Sequence, residues 1–184
     1  MDQSENAYKA FFDGDDEAFV EIIRTHRDGL VYFINSLTRD MTLAEELAED
    51  TLFELLVKRP KYLPSKGSFK TWLYAMGRNR AVNHLKRAAR VTLGEEAMEH
   101  LTDDETPPLA YVKEERASVI RKALCRIHPD YGTALYLSYF EGLDNGGIAQ
   151  VMKVTKRRVE MLLYRGKQAL KKELEKEGFV YEEL

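Results

Sequence analysis

Residues 144–174 read DNGGIAQVMKVTKRRVEMLLYRGKQALKKEL, and this stretch decides the fold. Asp144 can cap a short helix whose apolar residues are Ile148, Ala149, Val151 and Met152. Lys153 to Thr155 is a tight turn. Thr155 can cap a longer helix, in which Val159, Leu162, Leu163, Ala169, Leu170 and Leu174 recur at helical spacing. A short helix, a brief turn and a capped longer helix make a helix-turn-helix, and the opening residues of its second helix point into a major groove. Thr155, Lys156, Arg157, Arg158, Glu160 and Met161 are therefore the candidates to meet DNA. Arg can read guanine bidentately, Lys can anchor phosphate, and Glu160 can accept from a cytosine amino group or fix a neighbouring Arg. Arg165 and Lys167 suit phosphate contact or plain solvation. A charged solvated face is the blander account, but capping, spacing and charge agree on DNA.

Working upstream, Tyr131 to Phe140 reads as a helix ended by Glu141-Gly142, since glycine suits a left-handed cap. Before it, Val112, Val119, Ile120, Leu124 and Ile127 mark another helix that stops at Pro129. Residues 91–110 carry Glu95, Glu96, Glu99, Asp103, Asp104 and Glu105, with Gly94 and Pro107-Pro108, and no sustained apolar face. They read as a solvated, flexible acidic linker, with at most a partial helix over Glu95 to His100.

Upstream again, Phe69 to Arg90 reads FKTWLYAMGRNRAVNHLKRAAR, with six basic residues and no acidic one, inside a chain of formal net charge -3. Such a helix lies against phosphate, because neutralising phosphate releases counterions. Phe69, Trp72, Leu73 and Met76 can pack inward. Arg78, Asn79, Asn83, Lys86 and Arg87 mix side chains that bond base edges with ones that hold phosphate, as an unpaired strand demands. Lys70 and Lys66 add charge at the near end. Tyr62, in the loop with Pro60, Pro64 and Gly67, can stack or cage a flipped base, although a structural loop is as good an account of it, and for Trp72 by itself packing on the first helix is the safer reading. Ser68 is placed to cap this helix.

Further toward the N-terminus, Phe19, Ile22, Ile23, Leu30, Phe33, Ile34 and Leu37 define a long amphipathic helix over Glu17 to Leu37, capped by Asp15 or Asp16. Thr42-Leu43-Ala44-Glu45 matches a capping box for a helix running to about Lys58. There Leu47, Leu55 and Leu56 can face inward. Glu45, Glu46, Glu49, Asp50 and Glu54 form an acidic side relieved by Leu52 and Phe53, a mixture that fits a partner interface if either apolar residue is exposed, while a solvated helix explains the carboxylates equally well.

The chain thus reads as all-α: two small helical bundles, 1–90 and 111–184, joined by an acidic flexible linker, the C-terminal bundle containing the helix-turn-helix. Its 184 residues suit one medium domain or two small ones. The single cysteine, Cys125, excludes an internal disulfide and reads as a small buried hydrophobe. No secretory leader or membrane-length apolar run is present, so the cytoplasm is the default. His26, His84, His100 and His128 have no ligand spacing, and no phosphate loop or nucleophile motif occurs, so neither metal, cofactor nor catalysis is expected.

AEELAEDTLFELLVK followed by FKTWLYAMGRNRAVNHLKR resembles region two of bacterial sigma factors, and the stretch from Leu124 to Leu174 resembles region four. The class is the two-domain extracytoplasmic-function type. The resemblance implies that Glu45, Glu46, Glu49, Asp50, Leu52 and Phe53 dock on core RNA polymerase. It implies that Tyr62, Lys66, Lys70, Trp72, Arg78, Asn79, Asn83, Lys86 and Arg87 hold the opened minus-ten element of promoter DNA. Thr155, Lys156, Arg157, Arg158, Glu160, Met161, Arg165 and Lys167 would read the minus-thirty-five element as duplex. The acidic linker would thread toward the polymerase active-site and RNA-exit channels. Glu49, Leu52, Asn83, Gly147 and Glu160 depart from the family pattern; at 147 an acid is usual. An inhibitory anti-sigma factor is typical of the class, though no residue here identifies one. The expected function is a promoter-specificity subunit. The rivals are a free-standing helix-turn-helix regulator dimerising through its N-terminal bundle, and a sigma-like protein that only sequesters a partner.

Overall fold

The computed structural model describes residues 3–92 and 112–176. Eight α-helices and one 3-10 turn account for nearly all of them, and no strand occurs among the described residues. The N-terminal set is α1 (Gln3–Phe12), α2 (Glu17–Thr38), α3 (Met41–Lys58) and α4 (Phe69–Thr92), with the 3-10 turn Pro64–Lys66 before α4. The C-terminal set is α5 (Val112–Arg126), α6 (Pro129–Tyr139), α7 (Asn145–Met152) and α8 (Lys156–Lys176).

Local chemistry fixes the boundaries. Asp40, not Thr42, caps α3: its carboxylate accepts from the Leu43 amide at 3.0 Å, so the helix starts before the expected capping box. Asp15 Oδ1 accepts from the Glu17 amide at 3.1 Å and serves the start of α2. Arg39, Arg59 and Lys153 close α2, α3 and α7 in the left-handed region without a glycine. Ser68 accepts from the Thr71 amide at 3.2 Å, Asp144 from Gly147 at 2.8 Å and Thr155 from Arg158 at 3.2 Å, as their spacing predicts. Pro129 does not terminate α5 but opens α6, where its missing N–H is harmless.

Helix α1 has no counterpart in the sequence reading, because its stretch is short and only two of its apolar side chains are buried. Tyr8 and Phe11 dock it onto the bundle. Tyr8 stacks on Phe69 with ring centroids 4.9 Å apart, beside Trp72 at 5.4 Å and Tyr62 at 6.2 Å. The Tyr8 hydroxyl donates to the Pro60 carbonyl, and burial pushes its pKa up to about 12. Helix α2 is the axis of this half: Phe19, Ile22, Leu30, Phe33 and Ile34 are buried against α3 and α4.

In the C-terminal half α6 is the buried helix. Thr133, Ala134, Leu135, Tyr136 and Leu137 are all inside, packed between α5 and α8. Ile148, Val151, Met152, Val159 and Leu162 join the paired helices α7 and α8. The two bundles share one contiguous hydrophobic cluster, with α6 against α2 and α7 against α4. Cys125 is only half-buried, its Sγ 3.8 Å from Asn35 Nδ2 of α2, so it lies at that junction and not in a core. The acidic linker and the partial helix expected within it fall outside the described residues apart from 91 and 92, which continue α4.

Candidate nucleic-acid interface

The helix-turn-helix forms as its spacing requires. Its paired helices are held by Ile148, Val151, Val159 and Leu162, and the two caps satisfy amides at both helix starts. Thr155, Lys156, Arg157, Arg158 and Glu160 are exposed, Met161 half-buried, and Arg165 and Lys167 exposed. The side chains expected to read DNA therefore share one open surface. Lys167 also lies over the Tyr139 ring, 5.5 Å from its centroid.

The basic helix α4 behaves differently along its length. Beyond Ala81 it leaves the bundle, and residues 83–90 are all exposed. Asn83, Lys86 and Arg87 recur at intervals that place them on one face of this free segment, in line with the exposed Asn79 one turn before it. Arg78 is half-buried beside them. At the near end, Lys66 is exposed, but Trp72 and Tyr62 are half-buried in the aromatic cluster, 5.6 Å apart by centroid. The Tyr62 hydroxyl is 2.6 Å from Glu5 Oε1 and 2.7 Å from the Gly67 carbonyl, two acceptors that hold the ring in place. Lys70 is turned to the C-terminal bundle, where its Nζ donates to the Glu141 carbonyl at 3.0 Å.

Helix α3 carries the other candidate surface. Phe53 is 64% exposed, and Val57 at 62% and Leu56 at 38% continue the apolar patch. Leu52 is 5% exposed and belongs to the core, so its placement on the docking face is corrected. Leu56, expected inside, is outside. Leu52 falls one position off the Phe53–Leu56–Val57 stripe, and three consecutive apolar-rich turns gave no periodicity to tell the faces apart. Around the patch, Glu45 and Glu46 are exposed, Glu49 pairs with Arg27 at 2.9 Å, and Arg80 of α4 joins Asp50 at 3.1 Å and Glu54. Hydrogen bonding from Lys58, with Arg80 adding, lowers the Glu54 pKa; the bond to Glu49 raises that of Arg27. Arg27 and Arg80 were not singled out in the sequence, since nothing local marks a cation whose partner is on another helix.

Residues 22–91 match Sigma-70 region 2, and residues 118–170 match Sigma-70, region 4. The chain belongs to the extracytoplasmic-function sigma factors. It is a promoter-specificity subunit of RNA polymerase. The RNA polymerase sigma-H factor of Pseudomonas aeruginosa is 28% identical over 175 residues, covering 88% of this chain and 89% of that one. The extracytoplasmic-function factor SigW of Bacillus subtilis is 23% identical over 172 residues, with 88% and 91% covered. Among solved structures, the sigma factor RpoE of Bartonella quintana, bound to the anti-sigma factor NepR, superposes with a TM-score of 0.68 at 19% identity, covering 85% of this chain and 96% of that one. CnrH in complex with the cytosolic domain of CnrY gives 0.65 at 19% identity, with 95% and 98% covered. These two likenesses carry the fold alone.

In this sigma factor the region-2 match spans α2, α3 and α4, and the region-4 match spans most of α5 together with α6, α7 and most of α8. Among the described residues no group of His, Cys, Asp and Glu is placed to hold a metal ion, and no helix is long and apolar enough to cross a membrane.

Proposed function

We propose that the sigma factor docks on core polymerase through the α3 patch of Phe53, Leu56 and Val57 and its acidic rim of Glu45, Glu46, Glu49 and Asp50. An aromatic anchor ringed by charge is the arrangement that concentrates binding energy. The free face of α4, Arg78, Asn79, Asn83, Lys86 and Arg87, then holds the opened minus-ten strand. Lys66 and Lys70 lie at its near end, where Tyr62 and Trp72 form the wall against which an unstacked base rests. Thr155, Lys156, Arg157, Arg158, Glu160 and Met161 read the minus-thirty-five duplex, with Arg165 and Lys167 on phosphate.

The observation that carries this reading is the exposed apolar stripe of Phe53 at 64%, Leu56 and Val57 on a helix whose opposite face, Leu47, Leu52 and Leu55, is buried. A free-standing regulator has no use for that patch away from its DNA helix, unless it is a dimer contact. Residues 1–90 then act as the polymerase and minus-ten domain, 111–184 as the minus-thirty-five domain, and 91–110 as the tether, all in the cytoplasm and without catalysis of their own. Two weak DNA surfaces gain from effective concentration once both sit on the polymerase. The lone chain is therefore a monomer that binds promoter duplex poorly and is captured by core polymerase. A salt-titrated gel shift with sedimentation tests this: nanomolar specific DNA binding by a stable dimer of the chain alone would establish the regulator instead. Capture without new transcripts would establish the sequestering protein.

A further inference from the structure

Helix α1 lies ahead of the region-2 match, and one of its faces holds the loop that joins α3 to α4. Glu5, Tyr8 and Phe11 follow one another at three-residue steps, which stacks them along that face. Against them the loop runs in the opposite direction. Arg59 Nη1 donates to the Phe11 carbonyl at 3.0 Å, in the last turn of α1 where a cation is favoured, and the guanidinium lies 4.3 Å from the centroid of the Phe11 ring. The Pro60 carbonyl accepts from the Tyr8 hydroxyl, and the Tyr62 hydroxyl is 2.6 Å from Glu5 Oε1. Helix α1 is itself fixed to the bundle. Tyr8 and Phe11 are buried, and Ser4 Oγ is 2.9 Å from Nε2 of the buried His26 in α2.

Tyr62 is where the loop closes on itself. Its hydroxyl is also 2.7 Å from the Gly67 carbonyl, so Tyr62 and Gly67 form a neck and residues 63–66 a tip beyond it. Leu63, Pro64, Ser65 and Lys66 are exposed on that tip. The one hydroxyl proton of Tyr62 faces two acceptors, of which the Glu5 carboxylate comes from outside the loop. Its charge has the wrong sign for a surface that holds phosphate, since like charges repel. What Glu5 contributes is therefore its bond to Tyr62. A ring held in place beforehand does not have to be ordered when a strand arrives, and this strengthens binding.

We infer that α1 is a brace for the minus-ten loop: Glu5 and Tyr8 are positioning residues that set Tyr62, and the tip beyond it, to receive an unstacked base. This deepens the reading of Tyr62 and Trp72 as the wall for that base, and rests on it.

Holoenzymes with Glu5→Ala, Glu5→Gln, Tyr62→Phe, or Glu5→Ala and Tyr62→Phe together, transcribe a promoter at which the unsubstituted chain directs starts, with each promoter base varied in turn. Glu5→Ala and Tyr62→Phe each lower discrimination at one minus-ten position at least fivefold, and the pair lowers it no further. Glu5→Gln, which keeps an oxygen for the Tyr62 hydroxyl, stays within twofold of the unsubstituted chain. Minus-thirty-five preference and capture by core polymerase do not change. In the isolated full chain, acrylamide quenches the single tryptophan, Trp72, whose ring is 5.6 Å from that of Tyr62 by centroid. Quenching rises at least twofold with Glu5→Ala and with Tyr8→Phe, and does not rise with Glu5→Gln. Tighter promoter binding by Glu5→Ala with its base preference kept, which is the outcome of repulsion alone, overturns the brace. So does an additive loss in the pair, or quenching that no substitution alters. If Tyr62→Phe changes no base preference, or the unsubstituted chain starts no transcripts, the minus-ten reading falls, while the quenching still decides whether α1 holds the loop.

Discussion

The two surfaces proposed to hold DNA are built on opposite plans. Helix α8 presents Lys156, Arg157, Arg158 and Glu160 to solvent from a small, well-capped frame. The near end of α4 is embedded: Phe69 and Leu73 are fully buried, Trp72 and Tyr62 are wedged among aromatic rings, and Lys70 is tied to Glu141. Only from Asn79 onward does α4 offer a free basic face. Duplex is read by a rigid helix placed against a groove, which needs exposure and little else. Holding a melted strand needs stacking walls and a funnel of charge, which must be anchored to a core. The difference in burial suits the two substrates proposed.

Four substitutions break this comparison at three different points. Phe53→Asp removes the anchor both surfaces depend on. Affinity for core polymerase falls by about 2–3 kcal/mol, the range of an interface hot spot, while the melting temperature changes little because the ring is mostly exposed. Titration of labelled chain with core polymerase, beside a thermal melt, reads both. Arg157→Ala touches the exposed surface alone: discrimination at one base of the minus-thirty-five element drops by about 1–3 kcal/mol, with minus-ten preference intact, in a competition assay on promoter variants. Lys86→Ala and Arg87→Ala touch the free face of α4. Each weakens promoter binding by the holoenzyme a few-fold on every sequence alike, and reduces the salt slope by roughly 0.7–0.9.

A smaller effect sharpens the embedded side. Tyr8 has its pKa pushed up to about 12 by burial, above its ordinary value of 10.0. Its stabilising contribution is whole below pH 10 and is lost as pH rises from there toward 12. Alkaline titration of the unfolding midpoint shows this loss, and Tyr8→Phe shows a shallower one above pH 10.

The frame was legible where one helix face decides everything. The caps at Ser68, Asp144 and Thr155, the paired helices α7 and α8 and the amphipathic α2 all follow from spacing and side-chain chemistry within a few residues. Helix α1 escaped because its docking depends on Phe69 and Trp72, far along the chain. Leu52 and Leu56 exchanged places because α3 is apolar on more than one side. The contact of α7 with α4 was invisible, since a glycine at 147 announces close approach only once its neighbour is known. A Cβ on Gly147 would lie 2.9 Å from Thr71 Oγ1 of α4, a close approach that no neighbouring residue in the sequence announces.

The central claim is that this chain brings core polymerase to a two-part promoter, and transcription from a genomic template library tests it most directly. With core polymerase alone and with the chain added, the RNA 5′ ends are mapped. New starts that appear only with the chain, each preceded by the same two sequence blocks at constant spacing, are the predicted result. An unchanged set of 5′ ends, with polymerase that has been shown active with another sigma factor, contradicts it.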